Sequence, residues 1–171
     1  ELKLSNRKRC LRDLKELGYQ VGTGFMVGSP WQTMANLLED LAFIRELQPQ
    51  MIGIGPFIPH HATPFKNYPA GTLEQTLTLL SVLRLMFPKV LLPATTALGT
   101  IVPNGRELGI LAGANVVMPN LSPADVRQNY LLYDNKLCSG AEAAEAKNDL
   151  AARLHSIGYE IAEGRGDYKE S

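Results

Sequence analysis

Four stretches of the chain carry groups suited to chemistry. The first is Gly22-Thr23-Gly24-Phe25-Met26-Val27-Gly28-Ser29-Pro30. Glycines in a strand leave backbone bare, so a flat ligand can lie against it. The same glycines serve close helix–strand packing. The spacing G-x-G-x-x-x-G departs from the dinucleotide-binding fingerprint, and no acidic residue ends a following strand. The second stretch, Met51 to His60, alternates Gly53 and Gly55 with apolar residues and so thins one face of a strand. His60 and His61 offer ligand or acid–base groups there, or form an exposed loop pair. The third is Leu92-Pro93-Ala94-Thr95-Thr96-Ala97, where two hydroxyls and backbone amides follow a strand. That suits a small anion, and equally the capping of a turn. The fourth runs from Val117 through Met118 to Pro123 and on to Tyr130 and Tyr133, whose spacing of three puts both rings on one helix face. They serve a core or a site. No zinc-ligand spacing, phosphate-binding loop or serine-hydrolase elbow occurs.

These groups need elements to hold them. Leu11, Leu14 and Leu17 make a helical stripe from Arg7 that stops at Gly18. Tyr19 to Val27 reads as a strand. Ser29-Pro30-Trp31-Gln32 has the form of a helix start, with the helix reaching Leu47. Met51 to Phe57 is a second strand, and Thr72-Leu73-Glu74-Gln75 opens another helix. Val90 to Leu92 is a third strand, a short helix follows Pro103, and Asn115 to Met118 is a fourth strand. Ser122-Pro123 starts a helix to about Tyr133, and Ser139-Gly140-Ala141-Glu142 caps a last one ending near Ile157. Strands alternating with helices predict parallel pairing with right-handed crossovers. The apolar runs predict strands covered on both faces. Four strands do not close a barrel that takes eight, so the expectation is a small open sheet or half of a (β/α) barrel. Ligands in such folds meet the carboxyl ends of the strands.

The 17 basic and 17 acidic residues balance, which argues against a nucleic-acid partner. No apolar run approaches the ~20 residues that span a bilayer. The polar opening from Glu1 to Arg12 is unlike a signal peptide. Cys10 and Cys138, the only cysteines, suggest a reducing compartment, so a cytoplasmic location is expected.

Taken together, Gly24 to Pro30, Met51 to Pro64, Leu92 to Thr100 and Gly113 to Asn120 resemble the HydE family. These are radical S-adenosylmethionine maturases of [FeFe]-hydrogenase, related to biotin synthase. The resemblance runs from about Arg7 to Asp167 and rests most on IGIGPFIPH, PATTALGT and GANVVMPN. It implies that residues 1–171 are the second half of a (β/α)8 barrel, with 139–171 as a C-terminal extension. The family's first half carries Cys-x3-Cys-x2-Cys. Those thiolates hold a [4Fe–4S] cluster, which reduces S-adenosylmethionine to give a 5′-deoxyadenosyl radical. That motif is absent from this chain, and Cys138 by itself does not support the auxiliary cluster that some members carry.

The resemblance further implies an S-adenosylmethionine contact at Arg7, with Gly24, Met26, Gly28 and Met51 beside the adenosyl part. It implies a substrate cavity lined by Pro93, Thr95 and Thr96 and closed by Met118, Tyr130 and Tyr133. It assigns no metal ligand and no catalytic group to this chain. Trp31 departs from the family, which usually has a small residue there. The implied substrate is a small sulfur-containing or organometallic precursor, handled alongside other hydrogenase maturation proteins, without nucleic acid or membrane. The chain alone is expected to be inactive, lacking the cluster ligands. A biotin-synthase-type sulfur-inserting enzyme is the alternative within the same fold, and a non-catalytic, small-molecule-binding half barrel is the alternative outside enzymology.

Overall fold

The computed structural model describes residues 3–119, 123, 126, 133–135 and 143–169. The elements are α1 (Leu4–Glu16), β1 (Gly22–Val27), α2 (Met34–Leu47), β2 (Met51–Pro56), α3 (Leu73–Met86), β3 (Pro93–Ala94), α4 (Thr96–Ile101), α5 (Gly105–Leu111), β4 (Val116–Val117) and α6 (Ala143–Ser156). β1 pairs with β2 in parallel, with Gly24 opposite Gly53. β3 pairs with β4 in parallel, Pro93 opposite Val116. A parallel bridge between Met51 and Leu91 links the two ribbons, so the strands follow one another in chain order. The chain is an α/β protein of short parallel strands and helices.

Three local expectations are corrected. α2 begins at Met34, because Thr33 and Asn36 form the capping box: the Thr33 hydroxyl accepts from the Asn36 amide at 3.3 Å and Asn36 Oδ1 accepts from the Thr33 amide at 3.0 Å. Ser29 to Gln32 instead form a turn. The Gln32 side chain accepts from the Gly28 amide at 2.7 Å and donates to the Met26 carbonyl at 2.8 Å, while Trp31 sits at φ 62°. A left-handed residue cannot continue a right-handed helix. The third strand lies at Pro93–Ala94, beyond Val90–Leu92. Of the expected residues Leu91 still bridges to Met51, while the Arg84 guanidinium takes the carbonyls of Phe87, Pro88 and Val90, so a side chain satisfies the Val90 carbonyl. Finally, Thr96 opens the short helix α4, which periodicity did not reveal. The expected capping at Thr72 is present, its hydroxyl accepting from the Gln75 amide at 3.2 Å. The helix expected over 122–133 and the Ser139–Glu142 cap lie outside the described residues.

The core explains how the strands present their faces. Val27, Ile52 and Ile54 point to one side and pack with Ile44, Leu80, Leu83, Phe87, Leu92 and Leu98. Burying side chains of this kind contributes about 1.5–3 kcal/mol each. A second cluster of Ala94, Ile110, Ala114, Leu150 and Leu154 seats α6 on α5 and β3. There Arg153 pairs with Glu107, a carboxylate only 9% exposed. The other face of β1 and β2 consists of Gly22, Gly24, Met26, Met51, Gly53 and Gly55. Both strands alternate in burial, so the expectation of strands covered on both faces is corrected. Among the described residues no layer covers that second face of β1, and Met26 on it is 56% exposed. No helix among the described residues is long and apolar enough to cross a membrane.

Candidate functional site at the bare strand face

The glycines of β1 and β2 have distinct steric roles. At Gly24 a Cβ would fall 1.8 Å from the Gly53 carbonyl oxygen, so the strand pair itself requires glycine there. Gly28 has φ 75°, and a Cβ on it would meet the Gly71 Cα at 2.5 Å, so it lets two stretches of backbone touch. At Gly53 a Cβ would meet nothing within 4 Å. That glycine is required neither by conformation nor by neighbours, and it leaves the centre of the face flat.

At the carboxyl end of the face lies Thr95. A Cβ on Gly55 would come within 2.6 Å of the Thr95 hydroxyl, which places that oxygen directly over β2. Thr95 occupies the N-cap position of α4 yet makes no capping bond with its side chain. Among the described residues its Oγ1 is buried with no hydrogen-bond partner. Buried hydroxyls are nearly always paired, and an unpaired one costs about 1–3 kcal/mol. The Thr95 side chain therefore does not cap α4.

Thr96 turns elsewhere. Its Oγ1 lies 3.5 Å from Nη2 of Arg106, at the start of α5. Arg106 is 9% exposed, and its Nε has no partner among the described residues. Burial pulls its pKa down, and the nearby Arg153 cation adds to the effect, while Glu107, Tyr133 and Asp149 oppose it. Sequence reading missed Arg106. An arginine in an exposed-looking stretch, Pro103-Asn104-Gly105-Arg106-Glu107, gives no sign that its charge is buried beside Thr96.

The remaining expected residues divide. Met51 is half-buried on the bare face, and Met118, following β4, is 50% exposed. Pro93 is buried in β3. Tyr133 is half-buried and acts electrostatically on Arg106. Arg7 is exposed on α1. Tyr130 and Cys138 lie outside the described residues. Trp31 packs edge-on against Phe65 and Tyr68, at centroid distances of 5.9 and 5.2 Å. A separate open cavity of about 660 Å³ lies toward the amino ends of β3 and β4, between Leu91, Asn115 and residues 159–169. None of the expected site residues lines it.

Known proteins share this chain's pattern. No family profile matches it. It is 51% identical over 133 residues to the [FeFe] hydrogenase maturase subunit HydE of Thermotoga maritima, covering 78% of this chain and 38% of that protein. It is 33% identical over 131 residues to 3-methylornithine synthase of Methanosarcina barkeri, covering 77% of this chain and 37% of the relative. With the corresponding enzyme of Methanosarcina acetivorans it shares 28% identity over 156 residues, 91% of this chain and 43% of the other. The chain thus spans well under half the length of the curated relatives it matches. The aligned stretch takes in most of the strands and helices described above, and with every second aligned residue identical the chain belongs with HydE among the radical S-adenosylmethionine enzymes.

Proposed function

We propose that this chain is the C-terminal half of a radical S-adenosylmethionine (β/α)8 barrel that works in [FeFe]-hydrogenase maturation, with 139–171 as its extension. The observation that carries the reading is the bare face of β1 and β2, with the unpaired Thr95 hydroxyl at its carboxyl end. A closed barrel would turn that face inward, and its carboxyl end is where barrel enzymes bind substrates. The identity to HydE, higher than to the 3-methylornithine synthases, favours hydrogenase maturation over 3-methylornithine synthesis.

The face fits S-adenosylmethionine: Gly24 and Gly53 leave a flat floor for the adenosyl group, Met26 and Met51 flank it, and Arg7 and Gly28 belong to the same binding wall. Bound there, the cofactor supplies a 5′-deoxyadenosyl radical on one-electron reduction. The chain does not fit the [4Fe–4S] cluster, since Cys10 and Cys138 have neither the number nor the spacing. The cluster's ligands come from the other half of the barrel. By the resemblance, Pro93, Thr95, Thr96, Met118, Tyr130 and Tyr133 belong to the substrate cavity, with Thr96 acting through Arg106 and Tyr130 outside the described residues. Thr95 and Arg106 orient a small anionic, sulfur-containing or organometallic substrate, the hydroxyl directly and the guanidinium through its charge. Other maturation proteins supply or receive that substrate in the cytoplasm.

Anaerobic reconstitution tests this. The full-length protein, with iron, sulfide, reductant and S-adenosylmethionine, is expected to form 5′-deoxyadenosine, and the 171-residue chain is expected to form none. Cleavage by the chain alone, or its absence in a cluster-loaded full-length protein, would refute the assignment.

A further inference from the structure

The loop after β2 carries a side-chain cluster that the radical chemistry does not use. His60, His61 and Asp134 each present a ligand atom, and the three atoms lie within 4.8 Å of one another. The two imidazoles stack at 4.3 Å between centroids, with 26° between their planes. Asp134 reaches them from 73 residues along the chain. Its Oδ1 lies 2.7 Å from His61 Nδ1, and its Oδ2 accepts from the His61 amide at 2.8 Å. The Asp134 amide in turn donates to the Pro59 carbonyl at 3.2 Å.

From this geometry we infer a binding site for one divalent transition ion of the zinc class, held by His60, His61 and Asp134. Two imidazoles and a carboxylate are borderline ligands that suit Zn²⁺, Co²⁺ or Ni²⁺ and disfavour Ca²⁺ or Mg²⁺. Bonds of about 2.0–2.1 Å to a tetrahedral centre put ligand atoms about 3.4 Å apart. Side-chain rotations of His60 and His61 close the gap, because the loop carries them at the surface and the His61 side chain is 77% exposed. If His61 ligates through Nδ1, the ion replaces its hydrogen bond with Asp134 and the ring proton sits on Nε2. His60 gives up its bond from the Ala62 amide if it ligates through Nδ1. If it ligates through Nε2, its ring proton moves to Nδ1 and the same bond is lost. In either case water replaces the bond at this exposed position. Three protein ligands leave the fourth position to water. The ion would fasten the segment around Tyr133 and Asp134 to the loop that follows β2, beside the mouth of the proposed cavity. The inference does not depend on the radical chemistry.

The test is a Co²⁺ titration of the full 171-residue chain, with Cys10 and Cys138 changed to serine to remove thiol competition. One Co²⁺ per chain is expected, with ligand-field absorption of a nitrogen- and oxygen-ligated site. Removing even an outer-shell partner weakens metal sites roughly 10–100-fold. His60→Gln, His61→Gln and Asp134→Asn are therefore each expected to weaken binding by at least about tenfold, with unchanged far-ultraviolet circular dichroism. If one variant fails to fold, the other two decide. No Co²⁺ binding, or affinity unchanged in the folded variants, would overturn the site.

Discussion

Gly53→Val is expected to leave the protein folded and to deprive the full-length enzyme of its hold on S-adenosylmethionine. Gly53 lies in the centre of β2, opposite Gly24, and a Cβ there meets nothing within 4 Å. Valine is among the best strand formers and glycine among the poorest, so stability should hold or rise, on a scale spanning about 1 kcal/mol. The isopropyl group would stand on the flat floor proposed for the adenosyl group. A blocked stacking surface is expected to raise the Kd for S-adenosylmethionine at least about tenfold, or ~1.4 kcal/mol. Gly24→Ala provides the contrast. Its Cβ would lie 1.8 Å from a backbone oxygen, so it should damage folding before binding can be asked about. Isothermal titration with urea unfolding separates the two. A Gly53→Val protein that binds S-adenosylmethionine as well as the wild type would remove the adenosyl floor from this face.

Arg106→Met is expected to lower product formation by roughly 100-fold while costing little stability. Replacing a buried charge with an apolar side chain of similar length is often neutral or stabilising for folding. Here the guanidinium is 9% exposed and its Nε has no partner among the described residues, so its burial is poorly compensated. A residue that weakens the fold in this way is explained if its charge faces an anionic substrate. Hydrogen bonds to charged groups are worth about 1.5–3 kcal/mol, which sets the expected loss. 5′-Deoxyadenosine formation without substrate should be little changed, because the adenosyl floor is on β1 and β2. Arg106→Lys keeps the charge without the fork and should fall between. Full turnover by Arg106→Met, or a loss that merely follows unfolding, would contradict the assignment. Thr96→Val, which removes the hydroxyl facing Arg106, should lower turnover in the same direction by a smaller factor.

Much of the architecture was legible because period and punctuation are local. The leucine stripe of α1 ends at Gly18, the Thr72 cap opens α3, and the glycine alternation of β2 marks the thin face. What escaped depends on side-chain contacts that leave no periodic signal. Gln32 reaches back to Gly28 and Met26, so the serine–proline helix start is spent on a turn and Thr33 caps the helix. Arg84 binds the carbonyls of Phe87, Pro88 and Val90, ahead of the third strand at Pro93–Ala94. Those bonds span only three to six residues, but they are made by side chains that no periodic pattern marks, and either outcome fits the local sequence. At the site, Thr95 and Thr96 were visible as a pair. Their divergence was not, because it is set by β2 on one side and by α5 on the other. The approach of Asp134 to His61 spans 73 residues and leaves no periodic trace.

The central claim is that the uncovered face of β1 and β2 is the S-adenosylmethionine wall of a barrel completed by sequence outside this chain. A crystal structure of the full-length, cluster-loaded protein with S-adenosylmethionine tests it most directly. The account predicts the adenosyl group against Gly24, Met26, Met51 and Gly53, with the Thr95 hydroxyl facing the adjoining substrate cavity. An adenosyl group bound elsewhere, with that face filled by protein side chains, would contradict it.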